Sequence, residues 1–583
     1  MGDLSVNARR VLEVRYLARD GAGQPVEDWD GLCARVAGAV ASVEREYGGD
    51  SGARAEAFAG ALRRREFLPN SPTLMNAGTE LGQLSACFVL PLEDSLERIF
   101  ETAKRMAVIH QSGGGTGFSF SALRPAGDEV RRSHGVASGP VSFLRVFDAA
   151  TSVVKQGGRR RGANMGVLRV DHPDVLEFVA AKARPDAITN FNLSVGAPDA
   201  FWQAALSGGA YDLVNPRDGK AVRSVVASEL LDEIAHQAWA SGDPGVIFLD
   251  AVERANPTPA QGPLEATNPC GELPLLPNES CNLGSLRLDA FVREGQIDFE
   301  ALDGAVDLAV RFLDDVVDAS RFPFPDIAET TRGNRKIGLG VMGFADLLVD
   351  LNIPYDAPEA VGVAQRLMAR IRARAERASE CLAEERGVFP NFAGSAAQAR
   401  GRRLRNATLT SVAPTGTLSI LADCSGGIEP YFALAFTRHV LDGERLPETN
   451  PRFEAALREA GAWSPDLVAE VRKTGSVRGL DAVPESVRRL FPTAMDLAPE
   501  VHLGIQEAFQ AHVDNAVSKT INLPATATAA DIREIYVSAW RRGLKGVTVF
   551  REGCKGSAVL VRGADGVEVD AEEAGDCGAA NCG

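Results

Sequence analysis

The stretch Asn268-Pro269-Cys270-Gly271-Glu272 stands near the middle of the sequence and is its most informative part. Proline cannot donate a backbone hydrogen bond and glycine turns easily, so the stretch predicts a tight loop instead of a helix. Such a loop brings a thiol, a carboxyl group and an amide close together. An isolated loop cysteine is more often a small buried residue than a reactive one, so the loop alone only suggests chemistry.

On both sides of this loop, from Phe67 to about Gly553, amphipathic stretches alternate with short apolar or β-rich runs. The clearest of these runs are Cys87–Leu90, Val167–Val170, Gly245–Leu249 and Gly546–Phe550. Strands that alternate with helices in this way predict an α/β fold.

The two ends of the chain differ from this pattern. Apolar positions at helical spacing, such as Val11, Val14 and Leu17, predict a helical N-terminal segment over residues 1–65. After Cys554, glycine, alanine and acidic residues dominate, and we expect residues 556–583 to form a flexible tail. The α/β unit then covers residues 66–555.

One helix can be placed from its ends. Asp94 or Ser95 can cap it, and the glycines from Gly113 onward end it. Its predicted apolar stripe consists of Leu96, Ile99, Phe100, Ala103, Met106 and Ala107.

The bulk composition narrows the class of protein. The chain has 583 residues, a formal net charge of −16 and no apolar run of the ~18 residues needed to cross a bilayer. Residues 1–20 resemble neither a secretory signal nor a transit peptide, so we expect a soluble, cytoplasmic protein without a membrane partner. The negative charge argues against nucleic acid and in favour of small substrates.

The chain has nine cysteines, and cysteines scattered through a cytosolic protein are more often free, catalytic or metal-bound than structurally bridged. Cys87 and Cys281 could serve Cys270 as an electron-donating pair if they lay within disulfide distance, which spacing cannot show. Cys577 and Cys582 form a two-thiol motif that suits a redox tail better than half of a zinc site. The remaining four, which we assign to packing, are Cys33, Cys381, Cys424 and Cys554.

Three stretches could bind phosphate. Ala413–Ser419 and Ser71-Pro72-Thr73 combine hydroxyl groups with free backbone N–H groups, although such turns are more often ordinary caps. Lys155–Asn164 concentrates four cations on a glycine-rich loop, which suits a triphosphate, although a solvated basic loop explains the charge equally well.

Gly338-Leu-Gly340-Val-Met-Gly343 matches the dinucleotide-binding fingerprint, but the residues before it are polar and basic where an apolar strand is required. We interpret this match as fortuitous.

As a set, these motifs resemble the catalytic subunit of the ribonucleotide reductases, and specifically the vitamin B12-dependent class. The likeness covers nearly the whole chain. It rests, in family order, on Leu68–Asn76, Ser85–Cys87, Asn268–Glu272, Ala413–Thr417, Ser518–Pro524 and Gly543–Val549. The resemblance implies a ten-stranded α/β barrel of two five-stranded halves, with a finger loop (residues 268–272) threading its centre.

The resemblance also implies the catalytic roles. Cys270 would carry a thiyl radical that abstracts the substrate's 3′ hydrogen, Glu272 would take the 3′-hydroxyl proton, and Asn268 would hold the ribose hydroxyls. Cys87 and Cys281 would be oxidised to a disulfide, which Cys577 and Cys582 would reduce in turn.

Two further sets of residues follow from the same resemblance. The substrate would be bound by Ser71, Thr73, Ala86, Asn268, Pro414, Thr415, Gly416 and Thr417. A deoxynucleoside triphosphate effector would be bound across a homodimer interface by Asp148, Lys155, Arg159, Arg160 and Asn164. Thioredoxin or glutaredoxin would reduce the two tail cysteines again.

The expected cofactor is adenosylcobalamin. The last tyrosine is Tyr536, so the C-terminal tyrosine pair by which class I subunits receive a radical is missing. The chain also lacks Asp-x-His-x-x-Gly, the motif by which some B12 enzymes ligate cobalt, so we expect no metal ligand from protein side chains.

We expect ribonucleoside diphosphates as substrates by likeness to dimeric relatives. Alternatives are triphosphate reduction by the same chemistry, a nicotinamide-dependent dehydrogenase built on Gly338–Gly343, and a noncatalytic nucleotide-binding regulator.

Overall fold

The computed structural model describes residues 4–130, 135–156, 160–184, 186–439, 445–554, 560–563 and 566–570. Its strands are β1 Phe67–Pro69, β2 Cys87–Val89, β3 Gly115–Ser119, β4 Glu129–Val130, β5 Gly135–Val136, β6 Lys155–Gln156, β7 Arg160–Arg161, β8 Asn164–Arg169, β9 Phe191–Ala197, β10 Ala210–Val214, β11 Ala221–Val226, β12 Gly245–Phe248, β13 Ala266–Thr267, β14 Pro274–Leu275, β15 Glu279–Arg287, β16 Val292–Arg293, β17 Gln296–Ile297, β18 Ile337–Met342, β19 Ala435–His439, β20 Arg445–Thr449, β21 Thr520–Leu523, β22 Gly546–Arg551, β23 Leu560–Gly563 and β24 Gly566–Asp570.

Its α-helices are α1 Val6–Val11, α2 Trp29–Ala41, α3 Ser51–Arg63, α4 Ser71–Asn76, α5 Leu96–Gln111, α6 Pro140–Val153, α7 Val175–Val179, α8 Asp199–Ser207, α9 Ala227–Ser241, α10 Leu249–Arg254, α11 Phe299–Ala319, α12 Pro325–Asn334, α13 Phe344–Asp350, α14 Pro358–Arg386, α15 Ala396–Ala399, α16 Gly416–Ala422, α17 Pro451–Glu459, α18 Pro465–Thr474, α19 Glu485–Leu490, α20 Pro499–Gln510 and α21 Ala529–Arg541. Leu12–Tyr16 forms a π-helical turn, and 3-10 turns lie at Ser42–Tyr47, Pro259–Gln261, Leu288–Phe291, Pro390–Phe392 and Ala494–Asp496. Among the described residues, none of these helices has the length and apolar character needed to cross a bilayer.

Ten strands form one sheet, in the order β1-β15-β2-β3-β8-β9-β12-β22-β21 with β18 on the other edge of β15. Strands β2, β3, β8, β9 and β12 run parallel to one another and form one half. The pairs β15/β18 and β21/β22 are also parallel, and both junctions between the halves, β2/β15 and β12/β22, are antiparallel. The expected α/β architecture with a ten-stranded sheet and a helical N-terminal region is confirmed.

The sheet curves back on itself through two isolated bridges. Leu339 of β18 pairs in parallel with Thr410, and Val412 pairs in parallel with Val517, which leads into β21. The segment 410–412 thereby completes the second five-stranded half and closes the ring.

The strands read as continuous apolar runs because both of their faces are covered, as is usual for parallel sheets. Met165 and Val167 of β8 belong to an inner cluster that also contains Cys87, Cys281 and Leu273. Leu168 belongs to an outer cluster shared with the surrounding helices. The alternation of neighbouring residues between the two clusters follows the two-residue period of a strand.

Helix α5 begins at Leu96 with Ser95 as its N-cap, as predicted, and ends at Gln111 just before Gly113. The prediction that its whole apolar stripe packs inward is wrong. Ile99, Ala103 and Met106 are buried, but Leu96 is 63% exposed and Phe100 is 54% exposed. Part of the stripe therefore faces away from the core.

A buried network of charges joins the N-terminal region to the barrel. Arg386 at the end of α14 contacts Glu44 at 2.9 Å, Asp315 at 2.6 Å and Asp314 at 3.1 Å, and its side chain is fully buried. The Arg386 guanidinium also lies over the Tyr47 ring, 4.3 Å from its centroid. Removing one member would leave buried charges without compensation, which is strongly destabilising.

We therefore expect Arg386→Met to lower the free energy of unfolding by about 3–5 kcal/mol, measured as a shift of the urea midpoint. Arg370→Met is the matched control, because Arg370 also joins α14 to α11 through Asp303 but is 52% exposed. We expect that variant to unfold near the wild-type midpoint. Equal shifts for the two variants would contradict the assignment.

Candidate active site

The finger loop (residues 268–272) connects the short paired strands β13 and β14. Asn268 fixes its width, since the Asn268 backbone N–H donates to the Leu273 carbonyl at 3.2 Å and the Leu273 N–H donates to Asn268 Oδ1 at 3.0 Å. Gly271 turns the chain with a φ of +82°, in the left-handed region that glycine adopts without strain. The expected tight loop is therefore present.

The finger loop lies directly against the barrel strands. A Cβ atom at Gly117 of β3 would overlap the Thr267 carbonyl oxygen, and one at Gly115 would lie 2.8 Å from the Pro269 ring. Asn192 of β9 donates from Nδ2 to the Pro269 carbonyl at 2.9 Å. The absence of side chains on β3 thus lets the loop approach, and Asn192 holds it there.

Cys87 and Cys281 face each other across the β2/β15 pair, where they are register partners. Opposite residues of antiparallel strands have Cα separations of about 4.5–5.5 Å, within the range for a disulfide. Both cysteines are buried and in the thiol form. Asn268 Nδ2 donates to Cys87 Sγ at 3.1 Å, so the finger loop contacts this thiol pair directly.

The two thiols have different surroundings. The Cys281 S–H donates to the carbonyls of Asn282 and Lys336, each at 3.4 Å. Burial raises the pKa of the Cys281 thiol above its ordinary value, and the Glu279 carboxylate adds to this rise. Cys281 is thus held as a thiol, whereas Cys87 accepts the N–H group of Asn268.

Glu272 is buried at the base of the finger loop. Its backbone carbonyl accepts hydrogen bonds from the Ala516 N–H at 2.8 Å and from Ser411 Oγ at 3.0 Å. The two segments that close the barrel therefore also position Glu272.

Cys270 is half-buried and borders a cavity between the finger loop and the strands β9, β12, β21 and β22. Lys519 lines this cavity, paired with Glu429 and 2.9 Å from His502 Nδ1. Burial lowers the pKa of Lys519, and burial together with the Lys519 ammonium holds the pKa of His502 well below its ordinary range. His502 is therefore neutral at pH 7.

The first group of substrate candidates lies on the segment that leads to Cys87. Thr73 is buried and donates from Oγ1 to the Leu84 carbonyl at 2.9 Å, and Ser71 Oγ lies 2.9 Å from the Tyr16 hydroxyl. The Ala86 carbonyl accepts from the Gly115 N–H at 2.7 Å.

The second group forms a turn before α16. Thr415 has a φ of +59°, and its hydroxyl accepts from the Gly427 N–H at 2.8 Å. Thr415 is the N-cap of α16, and Gly416 and Thr417 are the first two residues of that helix. Ala413 packs against the inner cluster that contains Cys87 and Cys281, which brings this turn to the thiol pair.

Two of the effector candidates belong to one hydrogen-bond chain. Asp148 Oδ1 accepts from Asn190 Nδ2 at 2.9 Å, and the Asn190 carbonyl accepts from the Asn164 N–H at 3.0 Å. Lys155 and Arg160 lie on the paired strands β6 and β7. Arg159, Cys577 and Cys582 lie outside the described residues.

The glycine fingerprint lies inside a buried strand. Gly338 and Gly340 belong to β18, and a Cβ atom at either would overlap a neighbouring residue of the barrel. A nucleotide-binding fingerprint instead places its first glycine in the turn after the strand. Of the cysteines assigned to packing, Cys381 is exposed, so that assignment is wrong for it.

Sequence reasoning missed Asn192, which donates to the finger loop, Lys336, whose carbonyl accepts from Cys281, and Glu279, which pairs with Lys336. For Asn192 the available signal was a polar residue between apolar ones, as in Phe191-Asn192-Leu193.

Two family models match the chain. One, described as "Ribonucleotide reductase, barrel domain", matches residues 85–402 and 397–550, and the other, "Ribonucleotide reductase, all-alpha domain", matches residues 2–82.

Similar proteins carry the same family name. The chain is 53% identical to a vitamin B12-dependent ribonucleoside-diphosphate reductase of Mycobacterium tuberculosis, over 99% of this chain and 84% of the relative. It is 46% identical to one of Thermoplasma acidophilum, over 96% of this chain and 80% of that relative.

A solved structure has the same fold. The class Id ribonucleotide reductase alpha subunit of Actinobacillus ureae superposes with a TM-score of 0.75 at 22% identity, covering 94% of this chain and 97% of that one. Taken with the matches to the family models and the relatives, this means that the chain belongs to the ribonucleotide reductase family, in its vitamin B12-dependent group.

Proposed function

We propose that this chain reduces ribonucleoside diphosphates to 2′-deoxyribonucleoside diphosphates by thiyl-radical chemistry that depends on adenosylcobalamin. One observation carries the proposal: Cys87 and Cys281 are register partners, and Asn268 of the finger loop donates to Cys87 Sγ at 3.1 Å. A two-electron donor thus lies against the loop that presents Cys270.

In the proposed reaction Cys270, as a thiyl radical, takes the 3′ hydrogen of the ribose and returns one at the end. Glu272 accepts the 3′-hydroxyl proton, which suits a carboxylate placed in a closed site. The 2′-hydroxyl leaves as water with a proton from the thiol pair. Cys87 and Cys281 supply two electrons and two protons in total and end as a disulfide.

Asn268 couples the two parts of this site. Its Oδ1 accepts from the Leu273 N–H, while its Nδ2 donates to Cys87 Sγ. Because the amide is fixed at both ends, it is preorganised for the changes in charge at the sugar and at the sulfur.

We propose that the cavity beside Cys270 receives the adenosyl group of the cofactor. Gly245 and Gly546 line this cavity without side chains, and the hydroxyls of Ser194 and Thr548 can bind a nucleoside. When bound, adenosylcobalamin supplies the hydrogen-abstracting radical that converts the Cys270 thiol to a thiyl. His502 contacts Lys519, which lines the cavity, and the Ala494 carbonyl.

The turn at Thr415–Thr417 and the Ser71–Thr73 turn would hold the substrate phosphates. Hydroxyls and backbone N–H groups do not by themselves distinguish a diphosphate from a triphosphate. The preference for diphosphates rests on the names of the relatives from Mycobacterium tuberculosis and Thermoplasma acidophilum. Reduction of triphosphates is the alternative.

A homodimer with a deoxynucleoside triphosphate effector site completes the proposal. Helices α5 and α6 pack together and expose apolar side chains on a common surface, which we call the α5/α6 face. It consists of Leu96, Phe100, Val108, Val146 and Val153. An exposed apolar patch of this kind is typical of a protein interface, and α6 also carries the effector candidate Asp148.

The decisive experiment is anaerobic reduction of CDP and CTP with dithiothreitol and a deoxynucleotide effector, with and without adenosylcobalamin. We expect dCDP only with the cofactor, and at least a ~10³-fold loss in Cys270→Ala because the radical-bearing sulfur is removed. Product from CTP alone would replace the diphosphate assignment. No product from either, where a relative is active, would contradict the B12 assignment.

We expect the Cys577→Ser/Cys582→Ser double variant to lose thioredoxin-supported turnover by about tenfold or more, since the tail would no longer carry electrons to the buried pair. Turnover with dithiothreitol, which can reduce Cys87–Cys281 directly, should stay within about twofold of wild type. Equal losses with both reductants would contradict a relay role for the tail.

We expect Phe100→Asp to weaken dimerisation by about tenfold or more, measured by sedimentation, and to reduce the effector response in parallel. Val222→Asp is the control, because Val222 is similarly exposed but lies on β11, away from the α5/α6 face. A dimer unchanged by Phe100→Asp would exclude this face as the interface.

A further inference from the structure

A buried ion pair lies beside the thiol pair. Lys336 Nζ contacts Glu279 Oε2 at 2.7 Å, and the two side chains are 0% and 1% exposed. Removing two charges from water is costly, so a buried pair is weak evidence for a stabilising role and suggests another use.

The strand register fixes where this pair lies relative to Cys281. Glu279 precedes Cys281 by two residues in β15, so their side chains point to the same face of the sheet. On the opposite edge of β15, Asn282 is the partner of Ile337, which puts Lys336 next to Cys281. The Cys281 S–H donates to the Lys336 carbonyl at 3.4 Å. Cys87, Cys281 and Lys336 therefore form one row across three strands.

The Glu279 carboxylate is held in place by further donors. Asn334 Nδ2 donates to its Oε1 at 2.6 Å, and the Leu276 N–H donates to its Oε2 at 2.8 Å. With two neutral donors besides Lys336, the carboxylate is well compensated. The Lys336 ammonium therefore remains able to act on a second negative charge that forms nearby.

The two sulfurs differ in the hydrogen-bond partners that could stabilise a negative charge on them. Cys87 receives the Asn268 amide N–H, whereas the Cys281 thiol donates to the Asn282 and Lys336 carbonyl oxygens, which would repel a thiolate. Lys336 lowers the pKa of Cys281, against the upward effects of burial, Glu279 and Glu272.

We propose that Lys336 is a positioning residue that stabilises Cys281 as the leaving thiolate when the Cys87–Cys281 disulfide is reduced. The inference rests on the proposed function of this pair. A reductant thiolate forms a bond to the Cys87 sulfur, which is 6% exposed, whereas Cys281 is fully buried. The Cys87–Cys281 bond breaks, its electron pair passes to Cys281, and that sulfur then takes a proton.

The second half of the exchange regenerates Cys87. The reductant's other thiol, as a thiolate, attacks the mixed disulfide, the bond to Cys87 breaks, and the electron pair passes to the Cys87 sulfur beside the Asn268 amide. The reductant ends as a disulfide and the two cysteines end as thiols, so two electrons and two protons have been transferred.

The test measures the rate of reduction of the Cys87–Cys281 disulfide by dithiothreitol, against pH, in full-length chains that also carry Cys577→Ser and Cys582→Ser. We expect Lys336→Gln to slow it by about tenfold or more, because the positive charge beside Cys281 is lost. Lys336→Arg keeps the charge and should stay nearer to wild type. Glu279→Gln removes the opposing charge and should leave the rate unchanged or raise it.

The opposite signs separate an electrostatic role from a structural one, since damaged packing would slow Lys336→Gln and Glu279→Gln alike. The Lys336→Gln/Glu279→Gln double variant leaves no lone buried charge, and we expect it to remain slow. Slowing in both single variants, or wild-type rates in Lys336→Gln, would overturn the inference.

Peptide mapping of the oxidised chain separates this inference from the function on which it rests. If no Cys87–Cys281 disulfide forms in the wild-type chain, the proposed function of the pair fails. If the disulfide forms but Lys336→Gln does not alter its reduction, only the role of Lys336 fails.

Discussion

The close crossing of the finger loop over strand β3 is the constraint on which the rest of the site depends. At Gly117 any side chain would overlap the Thr267 carbonyl, and at Gly115 it would meet the Pro269 ring. Because a β-carbon cannot be accommodated, the loop reaches the barrel interior only over these glycines. The positions of Cys270, Asn268 and Glu272 all follow from that approach.

The interior around the finger loop is unusually polar for a protein core. Its amides and charges are paired with specific partners, as Asn192 is with the Pro269 carbonyl and Lys519 is with Glu429. A buried polar group costs free energy unless it is bonded, so each pair limits where its neighbours can lie. Such a network gives the site a defined geometry where a purely apolar core would permit several.

The sequence allowed the loop at residues 268–272 to be predicted, because proline and glycine restrict the backbone locally. It did not place Cys87 opposite Cys281, since that contact depends on the pairing of two strands distant in the chain. The barrel was predicted only from the resemblance to the family, because the periodicity of apolar residues predicts strands and helices but not how the strands close into a barrel. The stripe on α5 was misjudged at Leu96 and Phe100, since the spacing of apolar residues along a helix does not show which of them the rest of the chain covers. The glycines after α5 were predicted only to end the helix. That Gly115 and Gly117 also allow the finger loop to approach β3 depends on the three-dimensional fold and could not be predicted.

The closure of the barrel and the chemistry of the site are coupled at one seam. Between β18 and β21 the ring is joined through the segment 410–412, by the isolated bridges at Thr410 and Val412 and the backbone hydrogen bonds around them. At the same seam the Glu272 carbonyl accepts from the Ala516 N–H and from Ser411 Oγ, so the base of the finger loop acts as an extra hydrogen-bond partner for both closing segments. Because the finger loop is hydrogen-bonded to both segments of the seam, an opening of the seam would displace Glu272. Glu272 therefore keeps its position only while the ring is closed.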